Sequence, residues 1–218
     1  DAPDAAPKLW RLNPETGDAA PLFNNPRLSG YGARVSSNGR LAYLVPADDA
    51  LRIYNFQTGD SSLIFSKMKT PPVWSFKGDS LFFNDTQMMG EAHATQILRM
   101  ALPSGKSINL SGDKEVDDAA PAPSPDGEWL AFGRKAPRAA MGRQLWLMRL
   151  DGSQARALTN DTAIHHAPLS WSADGRYLLF QRAVTGDASA RPALWVYEVE
   201  SETFREIASP GRQGVWLP

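Results

Sequence analysis

Four copies of a hairpin motif, five copies of a strand that follows it, and the lack of helical periodicity predict an all-β fold. The hairpins read ARVSSNGRLAYL, PVWSFKGDSLFF, PAPSPDGEWLAF and LSWSADGRYLLF, and each contains one glycine, Gly39, Gly78, Gly127 and Gly175. These glycines are 39, 49 and 48 residues apart, about the length of one four-stranded propeller blade. The predicted fold is therefore a β-propeller of four-stranded antiparallel blades.

Each hairpin copy contains a turn of Ser, Asn, Asp, Pro or Gly between two apolar runs, which is the pattern of a β-hairpin. The glycine of each copy is expected to supply a positive φ at the turn. A third strand begins near Leu51, Ile97, Leu145 and Leu194, and a fourth apolar patch follows each of them. We predict full blades at approximately 30–66, 70–112, 118–160 and 166–208.

The two ends of the chain resemble parts of one further blade. Trp216 lies 45 residues after Trp171 and opens another copy of the hairpin motif, whereas Leu9 begins a fifth third strand. We therefore expect a split blade formed from residues 1–25 with 212–218. Two interpretations stay open: a five-bladed ring that closes within this chain, which would remove exposed sheet edges, or a part of a larger ring.

Composition argues against several classes of partner. The 218 residues include 23 Lys and Arg and 24 Asp and Glu, so the net charge of −1 gives no reason to expect binding to nucleic acid or to an anionic membrane. No stretch approaches the roughly 20 apolar residues that span a bilayer. Cysteine is absent, which excludes disulfides and thiolate chemistry. The opening Asp-Ala-Pro-Asp-Ala-Ala-Pro is typical of a chain after signal-peptide removal or after artificial truncation.

Motifs that carry chemistry are not found in the sequence. No G-x-S-x-G elbow and no H-E-x-x-H zinc motif occurs. Gly105-Lys106-Ser107 is not a phosphate-binding loop, because Met100 stands where the first glycine is required. The sequence therefore predicts no catalytic residue, no cofactor and no metal site, and it favours a role that is not enzymatic.

The hairpins at 121–132 and 169–180 resemble the repeat of the TolB-type propeller, which is similar to the propeller domains of the prolyl oligopeptidase and dipeptidyl peptidase families. The resemblance covers nearly the whole chain. It implies a periplasmic or extracellular scaffold that binds another protein at the mouth of the propeller channel. The alternative that it implies is the propeller domain of a larger enzyme, either the gating domain of a hydrolase or a lyase that uses His and Asp of the rim.

Segments that lead into first strands converge around one mouth of a propeller channel. Polar residues in those segments are the candidate partner-binding rim: Tyr31, Lys69, Asp117, Asp118, His165, His166 and Arg212. Neighbouring side chains of a strand point to opposite sides, so His165 and His166 are not expected to share a metal ion. The sequence leaves open whether this rim contacts a partner or is only a set of solvated loops.

Two further features have both a structural and a functional interpretation. The segment 134–143 carries four positive charges and is either a patch for an acidic partner or a solvated loop. The tryptophans could stack on sugars, but most of them fall at shared repeat positions, which favours packing between blades.

Overall fold

The computed structural model describes residues 7–66, 70–89, 92–112, 115–187 and 189–217. The chain divides into two compact units, residues 1–72 and 73–218. Within the described residues the structure has 18 β-strands and two three-residue 3-10 helices, Pro26–Leu28 and Pro46–Asp48. These helices are far too short to cross a membrane, and no other helix in the described residues could do so. The all-β prediction is confirmed.

The first unit contains one two-stranded and one four-stranded antiparallel sheet. The two-stranded sheet pairs β1 (Trp10–Leu12) with β2 (Ala19–Pro21). The four-stranded sheet, called the first blade, follows chain order: β3 (Tyr31–Val35), β4 (Arg40–Val45), β5 (Ala50–Asn55) and β6 (Ser61–Phe65). The core of this unit lies on β4, where Leu41, Tyr43 and Val45 are buried.

The second unit contains three four-stranded antiparallel sheets, each in chain order. The second blade consists of β7 (Val73–Trp74), β8 (Ser80–Met89), β9 (Ala92–Ala101) and β10 (Ser107–Asn109). The third consists of β11 (Asp117–Pro123), β12 (Trp129–Lys135), β13 (Gln144–Arg149) and β14 (Arg156–Ala157). The fourth consists of β15 (Ile164–Trp171), β16 (Tyr177–Val184), β17 (Ala193–Glu198) and β18 (Thr203–Ala208). The third and fourth sheets thus begin slightly earlier than the predicted ranges.

The hairpin turns have the predicted backbone geometry, since Gly39, Gly78, Gly127 and Gly175 all have a φ between 68° and 79°. The polar residues that recur in these turns also form hydrogen bonds within them. The Ser124 hydroxyl donates to the Asp126 carboxylate, and the Ser172 hydroxyl donates to the Asp174 carboxylate at 2.6 Å. Where Lys77 replaces the aspartate, the Ser75 hydroxyl donates instead to Asp79 at 2.7 Å. The motif therefore closes its turn even where its sequence departs from the pattern.

Neighbouring blades of the second unit share apolar cores. Phe82 and Ile97 of the second blade pack with Leu130, Phe132 and Met148 of the third. A second core joins the third and fourth blades and is made of Ala122, Ala131, Leu145, Leu147, Trp171, Leu178, Phe180 and Tyr197. Trp146 and Trp195 lie against these cores, as their shared repeat position predicts, and Trp129, which has no counterpart in the other repeats, does so as well.

A β-bulge interrupts the first strand of the first, third and fourth blades. The register shifts by one residue between Tyr31 and Arg34, between Ala119 and Ala122, and between Pro168 and Ser170. A bulge moves every side chain before it to the opposite face of the sheet relative to unbroken alternation. The bulges therefore decide which of two adjacent polar residues points inward at the beginning of each strand.

The segment after β18 docks on the fourth blade as a further hairpin copy would. The Trp216 indole N–H donates to the carbonyl of Ser170 at 3.3 Å, and the Trp171 indole N–H donates to the carbonyl of Ala122 at 2.8 Å. Ser170 and Ala122 hold the same position in their repeats. No strand is assigned within 209–217, and residues 1–6 and 218 lie outside the described residues. The pairing of 1–25 with 212–218 stays a prediction.

Candidate functional site

Five of the seven predicted rim residues lie in the second unit, at the edge where β11 and β15 begin and where β12 and β16 end. We call this edge of the third and fourth blades the start edge. The five residues are Asp117, Asp118, His165, His166 and Arg212. Tyr31 belongs to the first unit, where it begins β3 and is 36% exposed. Lys69 lies outside the described residues.

Asp118 is fully buried and pairs with a buried arginine across the β11–β12 ladder. Both of its carboxylate oxygens accept hydrogen bonds from Arg134, from Nε and from Nη2, each at 2.7 Å. The guanidinium also lies 4.6 Å from the ring centroid of Trp146 and 5.0 Å from that of Phe132. Two parallel charge-assisted hydrogen bonds are the geometry in which a buried ion pair offsets its desolvation cost best. Asp118 therefore holds the blade together and offers no surface to a partner.

Asp117 lies beside two cations, Lys135 at the end of β12 and Arg143 in the loop that follows it. Its Oδ2 is 3.0 Å from Arg143 Nη2 and 4.0 Å from Lys135 Nζ, and its backbone carbonyl also accepts from Arg143. Lys135 Nζ additionally donates to the carbonyl of Ala139 at 3.0 Å. Three of the four positive charges of 134–143 are thus directed to Asp117 and Asp118. These contacts fix the segment in place and leave little of its charge for an acidic partner.

His165 joins the two blades at the start edge. Its Nδ1 accepts the backbone N–H of Arg143 at 3.3 Å, so the ring lies on the same residue that binds Asp117. Partial burial lowers the pKa of His165 below its usual value, and the charges of Arg143 and Lys135 lower that pKa further. A neutral imidazole that accepts one hydrogen bond positions the start edge rather than carrying charge there.

His166 points away from His165, as strand alternation predicts. Its side chain is 2% exposed, its ring lies 6.1 Å from that of Phe180, and its Nδ1 has no hydrogen-bond partner. Burial lowers the pKa of His166 to about 4, with the positive charge of Arg182 as the next contribution. The two histidines therefore belong to separate environments. Across the described residues no group of three His, Asp or Glu side chains is arranged to hold a metal ion.

Arg212 lies on the exposed part of the start edge. Together with the loop that follows β16 it borders a cleft of 650 Å³, lined by Ser189, Ala190, Arg191, Pro192, Pro210, Gly211 and Arg212. The amide of Gly211 donates to the carbonyl of Pro192 at 2.7 Å, which ties the two walls together. Arg191 and Arg212 are both exposed, and neither forms an ion pair within the described part of the chain. This cleft is the part of the start edge at which a partner would meet uncompensated charge.

Sequence reasoning counted Arg143 only among the positive charges of 134–143 and did not find its contacts with His165 and Asp117. It did not find Arg182, which lies opposite His166 in the β15–β16 ladder. A signal for the ion pairs was present, because a hairpin that turns at 125–127 brings Asp117-Asp118 opposite Arg134-Lys135. The contact of Arg143 with both blades depends on the path of the loop, and no local pattern encodes that path.

Comparison with known proteins identifies structures with a similar fold. No family model matches the sequence, and no curated protein matches it. An oligogalacturonate lyase solved in complex with manganese superposes with a TM-score of 0.68 at 16% identity, covering 91% of this chain and 58% of that one. TolB from Acinetobacter baumannii superposes with a TM-score of 0.67 at 16% identity, covering 93% and 49%. A prolyl endopeptidase gives 0.66 at 15% identity, covering 94% and 33%.

The chain thus spans about half the length of the lyase and of TolB, and about a third of the peptidase. At these identities the superpositions establish architecture, because folds of this kind host unrelated functions. They agree with the four-stranded antiparallel sheets described above. The chain has a TolB-like β-propeller fold.

Proposed function

We propose that this chain is a non-catalytic propeller scaffold that binds another protein through the start edge of its blades, in the periplasm or outside the cell. The observation that supports the proposal is the cleft beside Arg191 and Arg212, where two exposed guanidinium groups face solvent without an acidic partner among the described residues. Exposed, unpaired arginines are enriched at protein interfaces and match carboxylates in a bidentate way. The expected partner surface is therefore acidic.

The rigidity of the neighbouring residues supports the same role. Asp117, Asp118 and His165 hold the loops of the third and fourth blades through buried or half-buried contacts. A surface that is fixed before binding loses less conformational entropy when a partner docks. These three residues are proposed to support the site, whereas Arg212 contacts the partner. Tyr31 is proposed as a contact of the first unit, and Lys69 stays an expectation from the sequence.

Site-specific photo-crosslinking in the native host tests this proposal. A photoreactive amino acid at position 212 or 191 should give adducts with a protein, and Arg191→Glu combined with a probe at 212 should weaken them at least tenfold. The control position is Glu202, which is exposed in the turn between β17 and β18 at the opposite end of the strands. Equal labelling from position 202, or no adduct from either start-edge position, would contradict the proposal.

The second candidate is a propeller domain of a larger enzyme, either a hydrolase gate or a lyase that uses rim His and Asp. It is favoured by the fact that the chain covers only 58% of the lyase and 33% of the prolyl endopeptidase. The intact mass of the natively expressed protein distinguishes the two candidates. A mass near 23.9 kDa favours the scaffold, whereas a clearly larger mass favours the enzyme.

A further inference from the structure

A cavity of 290 Å³ lies on the fourth blade, apart from the cleft beside Arg212. Phe180, Trp195 and Phe204 provide aromatic walls, and the remaining lining residues are Leu158, Thr159, Asn160, Asp161, His166 and Arg182. Ligand pockets in proteins commonly measure about 300–1,000 Å³, so this cavity suits a small molecule. Its mixture of flat apolar walls and one guanidinium indicates a ligand that has an apolar body and a negative group.

The third blade contains the same arrangement with one difference. Arg182 faces His166 across the β15–β16 ladder, as Arg134 faces Asp118 across β11–β12, and each pair is 48 residues from its counterpart. The Arg182 guanidinium lies 4.5 Å from the centroid of Trp195, close to the 4.6 Å that separates Arg134 from its own tryptophan. The two arginines therefore occupy equivalent positions in consecutive repeats.

The difference is the partner of the arginine. Arg134 has the carboxylate of Asp118, but Arg182 makes no ion pair or hydrogen bond within the described residues, and its Nε is buried without an acceptor. His166 stands where the aspartate would be, and its Nδ1 is also buried without a partner. The depressed pKa of His166 keeps its ring neutral near pH 7, so it does not add a second positive charge. The Nη groups of Arg182 are not among the buried atoms and have no partner among the described residues, so a bound carboxylate would pair with them through charge-assisted hydrogen bonds.

The other charged group of the cavity does not satisfy Arg182. Asp161 is exposed at the mouth, where its carboxylate accepts the amide of Ala163 at 3.1 Å, and it forms no ion pair with Arg182. The hydroxyl of Thr159 is occupied as well, because it donates to Gln144 and accepts from the amide of Leu145. The positive charge of Arg182 thus remains available to a ligand.

We propose that this cavity binds a small carboxylate with a flat aromatic body, such as an arene carboxylate. The carboxylate of the ligand pairs with the Nη groups of Arg182, since the His166 ring fills the position that Asp118 has in the third blade. The ring of the ligand packs against Phe180, Trp195 and Phe204. The third blade shows what the position accepts, because the same stacked arginine there holds a carboxylate of the chain itself. This site is separate from the proposed partner surface.

Calorimetric titration with benzoate tests the proposal, and benzamide is the uncharged comparison. The wild-type protein should bind benzoate at one site with a Kd of at most a few millimolar, and benzamide at least tenfold more weakly. Arg182→Met should weaken benzoate binding at least tenfold. Arg205→Met is the matched control, because Arg205 follows Phe204 on β18 and points to the opposite face of the sheet, so benzoate affinity should not change.

A second variant keeps the test informative if Arg182→Met folds poorly. His166→Asp places a carboxylate of the chain beside Arg182, so the variant should fold, melt at a higher temperature and no longer bind benzoate. Crosslinking from position 212 should be unchanged in this variant, which separates the cavity from the proposed scaffold function. The proposal is overturned if benzoate binding to the wild-type protein does not saturate at concentrations up to about 10-fold above the expected Kd of a few millimolar. It is also overturned if His166→Asp binds benzoate as the wild type does.

Discussion

The third and fourth blades repeat one arrangement of strand, stacked arginine and tryptophan, but they use it differently. In the third blade Arg134 forms an ion pair with Asp118, and the neighbouring Asp117 forms ion pairs with Arg143 and Lys135 at the same edge. In the fourth blade the aspartates are replaced by His165 and His166, and the equivalent arginine is left without a counterion among the described residues. A single side-chain position at the beginning of the first strand thus decides whether the arginine stabilises the blade or is available to a ligand.

The comparison also explains why the two edges differ in what they can bind. In the third blade, Arg134, Lys135 and Arg143 neutralise Asp117 and Asp118, so the surface near 117–118 offers no uncompensated negative charge. The fourth blade has no carboxylate at the corresponding positions, and its basic groups at 182, 191 and 212 face a cavity or a cleft. Arginines without an ion pair among the described residues, Arg182, Arg191 and Arg212, therefore lie on the fourth blade and in the segment that follows it.

The largest effect is expected from breaking the ion pair of the third blade. Asp118→Ala leaves the guanidinium of Arg134 buried without a counterion, so the free energy of unfolding should fall by about 3–5 kcal/mol. Urea denaturation followed by far-UV circular dichroism measures this change. Asp117→Ala is the control: it should cost clearly less, because Asp117 is 16% exposed and its cations retain other contacts. Equal losses in the two variants would mean that the buried pair has no special role.

The pH dependence of stability should reveal the histidine of the fourth blade. The native pKa of His166 is about 4, and the unfolded value is about 6.5, so only the unfolded state binds this proton between those values. His166 should therefore reduce the free energy of unfolding as the pH falls from about 6.5 to 4, by about 3 kcal/mol in total, and contribute no further change outside that interval.

Urea titrations at pH 7, 6 and 5 give the free energy of unfolding of the wild type and of His166→Gln. The contribution of His166 is the difference between the two proteins in the slope of this free energy against pH. His165→Gln is the comparison, since the pKa of His165 is lowered by the same kind of burial but by less. A wild-type slope that is identical to that of His166→Gln would show that His166 is solvated in the native state.

A smaller effect should distinguish the two tryptophans whose indole N–H donates to a backbone carbonyl of the preceding repeat, Trp171 and Trp216. Trp171→Phe leaves the carbonyl of Ala122 without its donor in a core where the indole is 8% exposed, so it should cost about 1–3 kcal/mol. Trp216→Phe removes a longer hydrogen bond from a side chain that is 36% exposed, and it should cost about 1 kcal/mol or less.

Thermal melts of Trp171→Phe and Trp216→Phe compare how much each indole hydrogen bond contributes to stability. Deletion of residues 214–218 extends the test. If the segment 212–218 closes a split blade with residues 1–25, the deletion should lower the melting temperature well beyond the effect of Trp216→Phe. An unchanged melting temperature would count against ring closure by these ends. The result also ranks the contact of the C-terminal segment against that between the third and fourth blades.

Local chemistry was sufficient to predict most of the architecture. The polar turns at Gly127 and Gly175 and the alternation of the strands determine the hairpins, because each depends on residues only a few positions apart. The 48-residue spacing of these two turns then gives the length of a blade. The opposite orientation of His165 and His166 follows from strand alternation for the same reason. The structure places Asp117, Asp118, His165 and His166 at one edge of the third and fourth blades, and a partner-binding role for the predicted rim stays a prediction.

By itself, then, the sequence determined the repeat, the four-stranded blades and the edge at which the polar residues gather, since these depend on local patterns. The tertiary structure decided which of those residues are buried. A bulge near Ala120 shifts the register by one residue, so that Asp118 faces Arg134 across the ladder. The cavity beside Arg182 is likewise a tertiary product, because its walls come from segments up to 46 residues apart, between Leu158 and Phe204, that meet only when the blades pack.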